Sequence, residues 1–374
     1  MDTAFVYNKF VTGSDFISRE QELNLFTNLV RQKQHVLIYE PPKSGKKSLV
    51  QQGLINLRKD GYEYTVSNIN LFNVRTKKHL LQKMCTTLLD SYCNAPDEKL
   101  ALQREICPEM EIYFGTSEYQ STPEIDTSPV PDQITEKILN LPLLLAQRYN
   151  TNPIIYIEEF QELLLQDNPY EIIKLIENTL LGQTGITYII TGSMVNSMKE
   201  IFEVKRYFYN FAERIKFNPL DIRSLSKLYI RNFHKTGRVV SKELASLMHH
   251  LTQGHPWYAQ QIGDISYGLT RGFLTEKVVK QAFHSLLELH SYRYQLITSR
   301  LSRFQINFLK AIMDNVEQLS STETMEYYGF NSSANVKRLK DAAKRKEILT
   351  EENGQWQFLD PLFKTWLQTV YFDL

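Results

Sequence analysis

The chain has 374 residues, 42% of them hydrophobic, which is enough for two or three units that each bury a core without disulfides or metal. Its 43 Lys and Arg residues nearly balance 42 Asp and Glu residues, so the formal net charge of +1 gives no overall field toward nucleic acid or an anionic membrane. The three cysteines lack a C-x-x-C pair, and no apolar run approaches the roughly 20 residues of a membrane-spanning helix. We therefore expect a reduced, cytoplasmic location, no disulfide framework or zinc site, and no membrane association.

The first half of the chain alternates short apolar runs with amphipathic helical patterns. The runs that predict strands are Gln34–Tyr39, Tyr62–Asn68, Pro153–Ile157 and Ile186–Ile190. Helical patterns begin near Lys46, cover Lys77–Ser91 and Pro131–Tyr149, and recur before the last of these strands. Such alternation predicts an α/β fold, with a parallel sheet sandwiched by helices. Residues 95–133 accumulate Pro, Ser, Thr and charge with weak periodicity, which predicts an irregular insertion.

In the second half of the chain the strand-like runs stop and helices dominate. Four helices are predicted at Ile222–His234, Ser241–Leu251, Pro256–Leu269 and Glu276–His290. Three more follow at Ser302–Asn315, from Ser321 and at Ser333–Lys346, and the chain then forms a hairpin about Asn353–Gly354. Three helices and a hairpin are the winged-helix order. We therefore predict a P-loop domain at 1–217, an all-α helical lid domain at 218–290 and a winged-helix domain at 291–374.

The segment from Glu40 to Ser48 overlays the phosphate loop G-x-x-x-x-G-K-[ST] between a strand and a helix. In such a loop, backbone N–H groups at a helix N-terminus surround a polyphosphate, and a lysine ammonium reaches the β and γ phosphates. Gly45 and Lys46 supply that pair. The predicted cradle also includes Lys43, Ser44, Lys47 and Ser48. The alternative is a basic turn before an ordinary core helix.

Two positions of this loop depart from the pattern. Glu40 replaces the first glycine, and its carboxylate repels phosphate. Lys47 replaces the Ser or Thr whose hydroxyl holds magnesium; an ammonium cannot ligate a cation, although it can neutralise phosphate charge at that place. Ser48 comes one residue too late to substitute without a register shift. We therefore predict ATP or ADP binding, slow or absent hydrolysis, and leave the need for Mg²⁺ open.

A second pattern lies at the ends of two predicted strands. The run Ile154–Phe160 contains two consecutive acids after an apolar strand, which is typical of a Walker B motif. Glu158 takes the position of the metal-binding acid, and Glu159 that of the base that polarises the attacking water. A solvated strand end without catalytic function is the alternative. Thr191 and Ser193 lie at the end of the next strand, and their hydroxyls are predicted to meet the γ-phosphate or the water, with an ordinary helix-capping turn as the alternative.

Short motifs spread over nearly the whole chain also occur in a recognisable order: Phe16–Glu20, Gly45–Lys46, Glu158–Glu162, Thr191–Ser193, Arg206–Tyr209, Gly254–Pro256, and Asp360–Phe363 with Trp366. This order resembles that of the archaeal-type ATPase family, a branch of the AAA+/STAND P-loop proteins that is related to origin-recognition initiators. The resemblance implies that Ile17 and Arg19 lie against the adenine or ribose and that Pro256 closes over the base. It also places Arg206 near phosphate, with a surface salt bridge as the alternative.

This chain departs from the family pattern at four positions. Members usually carry Gly where this chain has Ser18 and Glu40, a hydroxyl residue at Lys47, and Asp at Glu158. All four are predicted to lie at the nucleotide. The departures therefore weaken the expectation of hydrolysis more than that of the fold.

Three functions remain open from the sequence. The first is an ATP/ADP-dependent switch with weak or no ATPase activity. The second is a pseudo-ATPase scaffold whose winged helix docks a protein partner. The third is a DNA-binding regulator that uses the basic outer face of Ser333–Lys346, which carries Lys337, Arg338, Lys344 and Arg345. DNA is not favoured, because residues 291–374 hold 11 Lys and Arg against 10 Asp and Glu and the wing tip Glu351–Glu352 is acidic.

Overall fold

The computed structural model describes residues 4–106, 108 and 130–373. The chain forms two compact units. The first unit contains residues 1–20, 41–48 and 217–374, and the second contains residues 21–40 and 49–216. Within the described residues, no helix is long and apolar enough to cross a bilayer.

The second unit is built on a sheet of five parallel strands in the order β2-β3-β4-β1-β5. The strands are β1 (His35–Tyr39), β2 (Thr65–Asn70), β3 (Pro153–Glu158), β4 (Thr187–Gly192) and β5 (Ala212–Arg214). β3 and β4 are buried at every position, as expected of central strands covered on both faces. The parallel sheet predicted from the sequence is therefore confirmed; β5, with three residues, is too short to give a periodic signal.

Within the described residues, eight helices accompany the sheet in chain order. They are α1 (Glu20–Arg31), α2 (Lys46–Lys59), α3 (Lys77–Asp90), α4 (Pro96–Ile106), α5 (Asp132–Leu139), α6 (Leu141–Tyr149), α7 (Pro169–Leu181) and α8 (Val195–Lys199). Short helices also cover Phe160–Leu165 and Glu200–Val204. α4 lies inside the segment predicted as irregular, and residues 109–129 of that segment lie outside the described residues.

The single helix predicted at Pro131–Tyr149 is two helices in the structure. Pro142 stands in the first turn of α6, where its missing N–H costs no intrahelical bond, whereas within a continuous helix it would remove one. The break is stabilised by Gln183, whose side-chain amide donates to the carbonyl of Leu139 at 2.9 Å and to the side-chain oxygen of Asn140 at 3.0 Å. A prediction from periodicity alone joined the two helices because their apolar faces remain in register.

The first unit is mainly helical. It contains α9 (Ile222–His234), α10 (Lys242–Thr252), α11 (Pro256–Leu269), α12 (Glu276–Thr298), α13 (Arg303–Met313), α14 (Thr322–Tyr328), α15 (Ser333–Arg345) and α16 (Pro361–Trp366). The antiparallel hairpin of β6 (Leu349–Glu352) and β7 (Gln355–Phe358) turns at Asn353 and Gly354, both with positive φ (50° and 78°). The predicted helices and the Asn-Gly hairpin of the winged helix are confirmed.

One apolar core runs through the first unit, from Phe5 to Leu367. α12 spans residues on both sides of position 290, and Tyr294 in its last third is fully buried. Asp360 caps α16 by accepting the N–H groups of Leu362 and Phe363. The same carboxylate forms an ion pair with Arg293 of α12 and accepts the hydroxyl of Tyr258 at 2.9 Å. Apolar packing and a polar cluster therefore both fasten the winged helix to α11 and α12.

Candidate nucleotide site

The phosphate loop directly follows β1 and ends where α2 begins. Lys43 and Gly45 both have positive φ (64° and 97°), which bends the chain into a tight loop before Lys46. Only glycine adopts the second value without strain, so the local sequence Ser44-Gly45-Lys46 is suited to this turn. At Glu40, the position of the usual first glycine, no positive φ occurs, and the backbone N–H donates to the carbonyl of Gly192 at 3.3 Å. A carboxylic side chain is therefore compatible with the backbone there.

The inner surface of the loop offers groups suited to an anion. The Lys46 ammonium folds back on its own loop and donates to the carbonyl of Pro41 at 2.9 Å. The hydroxyl of Ser44 is buried and has no hydrogen-bond partner among the described residues. No heavy atom lies within 4 Å of the place where a Cβ on Gly45 would stand. An orphaned buried hydroxyl beside an open glycine is consistent with a site that a phosphate completes.

Arg19 is a buried residue that contacts the phosphate loop. Its guanidinium is 5% exposed, donates to the carbonyls of Asn218 at 2.6 Å and Ser44 at 3.5 Å, and lies 4.3 Å from the ring centroid of Phe217. The next residue toward the N-terminus, Ser18, has φ +59°, which explains why glycine suits this position. The sequence predicted Arg19 at the nucleotide; the structure places it in contact with the phosphate loop itself.

The Gly-His-Pro turn, Gly254–Pro256, lies in the same unit as the phosphate loop. Gly254 has φ +66°, and a Cβ there would lie 2.9 Å from the carbonyl oxygen of Leu220, so no larger residue fits. Burial lowers the pKa of His255 to about 4, and the charges of Lys46 and Arg19 act in the same direction. Pro256 begins α11. This turn and the phosphate loop are therefore close enough to interact electrostatically.

Two further contacts connect the loop to the rest of the first unit. The Lys43 ammonium lies 5.5 Å from the ring centroid of Trp257, the second residue of α11. Ser48 is buried, and its hydroxyl accepts the backbone N–H of Val11 at 3.0 Å. Ile17 packs, partly buried, against the core. The amino-terminal segment, the loop and the start of α11 thus converge within the first unit.

The acids after β3 lie in the second unit, and each is bonded to a neutral side chain. Glu158 is 9% exposed, and its Oε1 accepts the side-chain amide of Asn68 of β2 at 2.8 Å. β2 neighbours β3 on the side opposite β4 and β1. Among the described residues no group of three or more His, Cys, Asp or Glu is placed to hold a metal ion.

Glu159 belongs to a three-residue polar network. Its φ is +58°, an unusual value for a residue with a side chain. Its Oε2 accepts hydrogen bonds from the hydroxyl of Ser193 and from the side-chain amide of Gln161, the latter at 2.7 Å. The Gln161 carbonyl oxygen in turn accepts the backbone N–H of Ser193 at 3.3 Å. The strained backbone and the two donors hold this carboxylate at the carboxyl end of the sheet.

Two predicted residues are not part of this network. Thr191 is 3% exposed, and its hydroxyl donates to the Ile157 carbonyl of the neighbouring strand at 3.5 Å, which directs it toward the sheet. Arg206 is exposed and has φ +56°, and its side chain has no hydrogen-bond or ion-pair partner among the described residues. Its neighbour Tyr207 stacks on Tyr170 in the first turn of α7. Ser193, rather than Thr191, is the hydroxyl that contacts a candidate catalytic group.

The winged helix shows a smaller basic face than the sequence predicted. Val336, Leu339 and Ala343 of α15 are buried, as expected. The Lys344 ammonium, predicted to face outward, pairs with Glu351 at 2.7 Å and lies 5.0 Å from the ring centroid of Trp356. The acidic wing tip therefore neutralises part of the helix charge within the protein itself.

A five-stranded parallel sheet, a phosphate loop after β1, an all-α segment and a winged helix together define a P-loop ATPase fold of the AAA+ type. Over 97% of its length the chain is similar to a Walker-type ATPase of Pyrococcus abyssi, with 99% of that chain covered, 16% identity and a TM-score of 0.65. It is also similar to the ORC2 protein of Aeropyrum pernix, solved as ADPNP and ADP complexes, with 96% and 95% coverage, 12% identity and a TM-score of 0.59. These likenesses establish the fold.

The carboxyl-terminal part matches a family model of its own. Residues 292–369 match the family described as "Probable winged helix domain". A search of curated protein sequences found no match. The winged helix predicted from the order of helices and hairpin is therefore confirmed.

Sequence reasoning missed three polar partners in the site. Asn68 was placed in a predicted strand, but the register that pairs it with Tyr156 and brings it to Glu158 could not be read from one sequence. Gln161 stands two residues after Glu159, so the short spacing was an available signal. The contact of Val11 with Ser48 joins positions 37 residues apart and has no sequence signature.

Proposed function

We propose that this protein is an ATP/ADP-binding switch with slow or absent ATP hydrolysis. The observation that carries the proposal is the convergence, in the first unit, of the phosphate loop with Arg19, the amino-terminal segment and the Gly-His-Pro turn. The fold supports it, because solved P-loop proteins of this type include an ORC2 protein with ADPNP and ADP. Membership of the archaeal-type ATPase family and STAND-type switching between nucleotide states are both part of this proposal.

The phosphates are bound, in this proposal, by the backbone N–H groups around Gly45 and by the ammonium of Lys46. Lys46 must leave the carbonyl of Pro41 to do so, and the buried hydroxyl of Ser44 gains a partner. Lys43 and Lys47 add positive charge at the same loop. Arg19 fixes the loop through the Ser44 carbonyl rather than through the ligand.

The base is bound on the side of the amino-terminal segment and α11. Ile17 and Pro256 supply apolar contact, as the resemblance implies, and the Gly254 backbone allows the turn to approach. Thr191 and Arg206 are also proposed to contact phosphate; the Thr191 hydroxyl must first leave the Ile157 carbonyl, whereas Arg206 is exposed.

Hydrolysis is expected to be weak for three physical reasons. Lys47 offers no oxygen to magnesium, and the Ser48 hydroxyl already accepts a backbone N–H. The proposed metal acid, Glu158, is bonded to an amide. The proposed base, Glu159, accepts two hydrogen bonds that must rearrange before it polarises water. Mg²⁺ is therefore proposed as dispensable for binding.

Two competing functions make different predictions. A pseudo-ATPase scaffold has no nucleotide affinity and acts only through a protein partner. A DNA-binding regulator binds duplex DNA with a steep salt dependence that is lost when Lys337 and Arg338 are reversed in charge. The cytoplasmic location and the protein partner remain proposals.

Isothermal titration calorimetry with ATP and with ADP, each with Mg²⁺ and with EDTA, tests the proposal. We expect binding of both nucleotides in EDTA, weakened about 30-fold by Lys46→Ala and retained in Lys59→Ala, which removes a lysine at the far end of the same helix. If neither nucleotide gives a heat of binding, the result supports the pseudo-ATPase scaffold instead. Phosphate release that falls in Glu159→Gln identifies the residual base.

A further inference from the structure

The end of the helical segment where α9 and α11 stop carries an open β-edge. We call it the lid edge and define it as residues 234–242 and 268–275. Val239 donates its N–H to the carbonyl of Gly272 at 2.9 Å and accepts the N–H of Leu274 at 2.8 Å, which forms a parallel bridge opposite Phe273. In this pattern the N–H and C=O of Phe273 point away from Val239. They have no hydrogen-bond partner in the part of the chain that the structure describes.

Side chains alternate across this bridge. Val240 and Leu274 point into the core and are 5% and 6% exposed. Phe273 points outward and is 78% exposed, the highest value among the exposed large hydrophobic residues of the described chain. Leu269, at the end of α11, is 41% exposed. The bridge therefore presents an apolar outer face next to an unused main-chain edge, which folded proteins normally protect.

The lid edge is strongly basic, although the whole chain is nearly neutral. Its two segments contain four Lys and Arg residues (Lys235, Arg238, Lys242 and Arg271) and no Asp or Glu. Lys235 and Arg271 are exposed and form no ion pair within the described residues. Arg238 stacks on the ring of Tyr267 at 3.8 Å, and the Tyr267 hydroxyl bonds Thr236 at 2.8 Å. Two acids adjoin the segments: Glu276 is paired with Lys280, and Glu243 directly follows Lys242.

We propose that the lid edge binds an extended acidic segment of a partner protein by strand addition. The partner strand hydrogen-bonds the free N–H and C=O of Phe273, its apolar side chains cover Phe273 and Val239, and its carboxylates face Lys235 and Arg271. A nucleic acid or an anionic lipid surface satisfies the charges but supplies no strand for the main-chain edge. The open edge and the charge together select a peptide.

Fluorescence anisotropy on the full-length protein tests this proposal with a labelled heptapeptide, Asp-Val-Asp-Val-Asp-Val-Asp, as the probe. The first comparison uses the same peptide N-methylated at every residue, which keeps the charges and removes the donors that bind the Phe273 carbonyl. We expect N-methylation to weaken binding at least about tenfold. Reversing two charges in the double variant Lys235→Glu, Arg271→Glu is also expected to weaken binding about tenfold.

The double variant Arg223→Glu, Lys227→Glu is the matched control, because it makes the same charge change at two exposed positions of α9 outside the lid edge. Unchanged thermal unfolding and ADP titration of each variant show that the first unit is intact, independently of the peptide result. Equal binding of the N-methylated peptide overturns strand addition. Tighter binding of oligothymidine or of phosphatidylserine vesicles than of the peptide overturns the choice of partner, and so does absence of peptide binding at about 1 mM.

Discussion

Lys46→Ala is the substitution that most directly tests the nucleotide site. In the free protein the Lys46 ammonium donates a part-buried hydrogen bond to the Pro41 carbonyl, and loss of that bond costs about 1 kcal/mol of unfolding free energy. In the complex the same ammonium is proposed to bond phosphate, and a hydrogen bond between charged groups contributes about 2 kcal/mol. That loss raises Kd about 30-fold.

These magnitudes predict a clear result in a thermal unfolding assay. At a free nucleotide concentration of about 100 times the wild-type Kd, the ligand stabilises the wild type by about 2.7 kcal/mol. With Kd raised about 30-fold, the stabilisation of Lys46→Ala falls to about 0.9 kcal/mol. Lys59→Ala is expected to behave as the wild type. If ADP stabilises Lys46→Ala as much as the wild type, the phosphate loop does not hold the ligand and the assignment fails.

Three other substitutions probe neighbouring parts of the first unit. Lys47→Thr restores a hydroxyl ligand and is expected to make ATP binding about tenfold tighter with Mg²⁺ than with EDTA; a calorimetric titration that shows no gain over the wild type contradicts this. Arg19→Ala removes the hydrogen bonds to the carbonyls of Asn218 and Ser44. We expect it to lower the unfolding free energy by about 2 to 4 kcal/mol in urea titrations. A loss below about 1 kcal/mol would show that the phosphate loop does not need Arg19 for its stability. Burial lowers the pKa of His255 to about 4. Between about pH 4 and 6.5 the folded chain therefore binds fewer protons than the unfolded chain. The protein consequently loses stability as the pH falls through that window. Between about pH 7 and 5 this group costs about 2 kcal/mol, and a His255→Asn variant with an unchanged pH slope disproves that contribution.

The elements that sequence patterns predicted well are those whose signal is local. The buried runs that became β3 and β4 are continuous apolar segments, and the Asn353–Gly354 turn has the composition that a two-residue hairpin requires. Helix α9 begins and ends at the predicted residues, because the Asp221 side chain caps its first turn. Propensity, periodicity and capping agree in these places.

The parts that could not be predicted depend on pairing between distant residues. The hydrogen bond from Asn68 to Glu158 requires the register of two strands about 90 positions apart, and the ion pair of Lys344 with Glu351 requires the wing to fold over α15. Neither pair is visible in the residue patterns from which the basic face and the acidic strand end were predicted. Glu351 neutralises part of the basic face of α15 by pairing with Lys344. Glu158, which was predicted as a metal ligand, accepts a hydrogen bond from the side-chain amide of Asn68.

The continuity of α12 has a practical consequence for dissecting this chain. A winged-helix fragment that starts where the family match begins, at residue 292, would begin inside a helix and lose the first two thirds of it. Its exposed surface would include Tyr294, which the intact chain buries completely. A fragment that keeps α12 whole must therefore begin at or before Thr275, whose side chain accepts the N–H of Val278 and caps the helix.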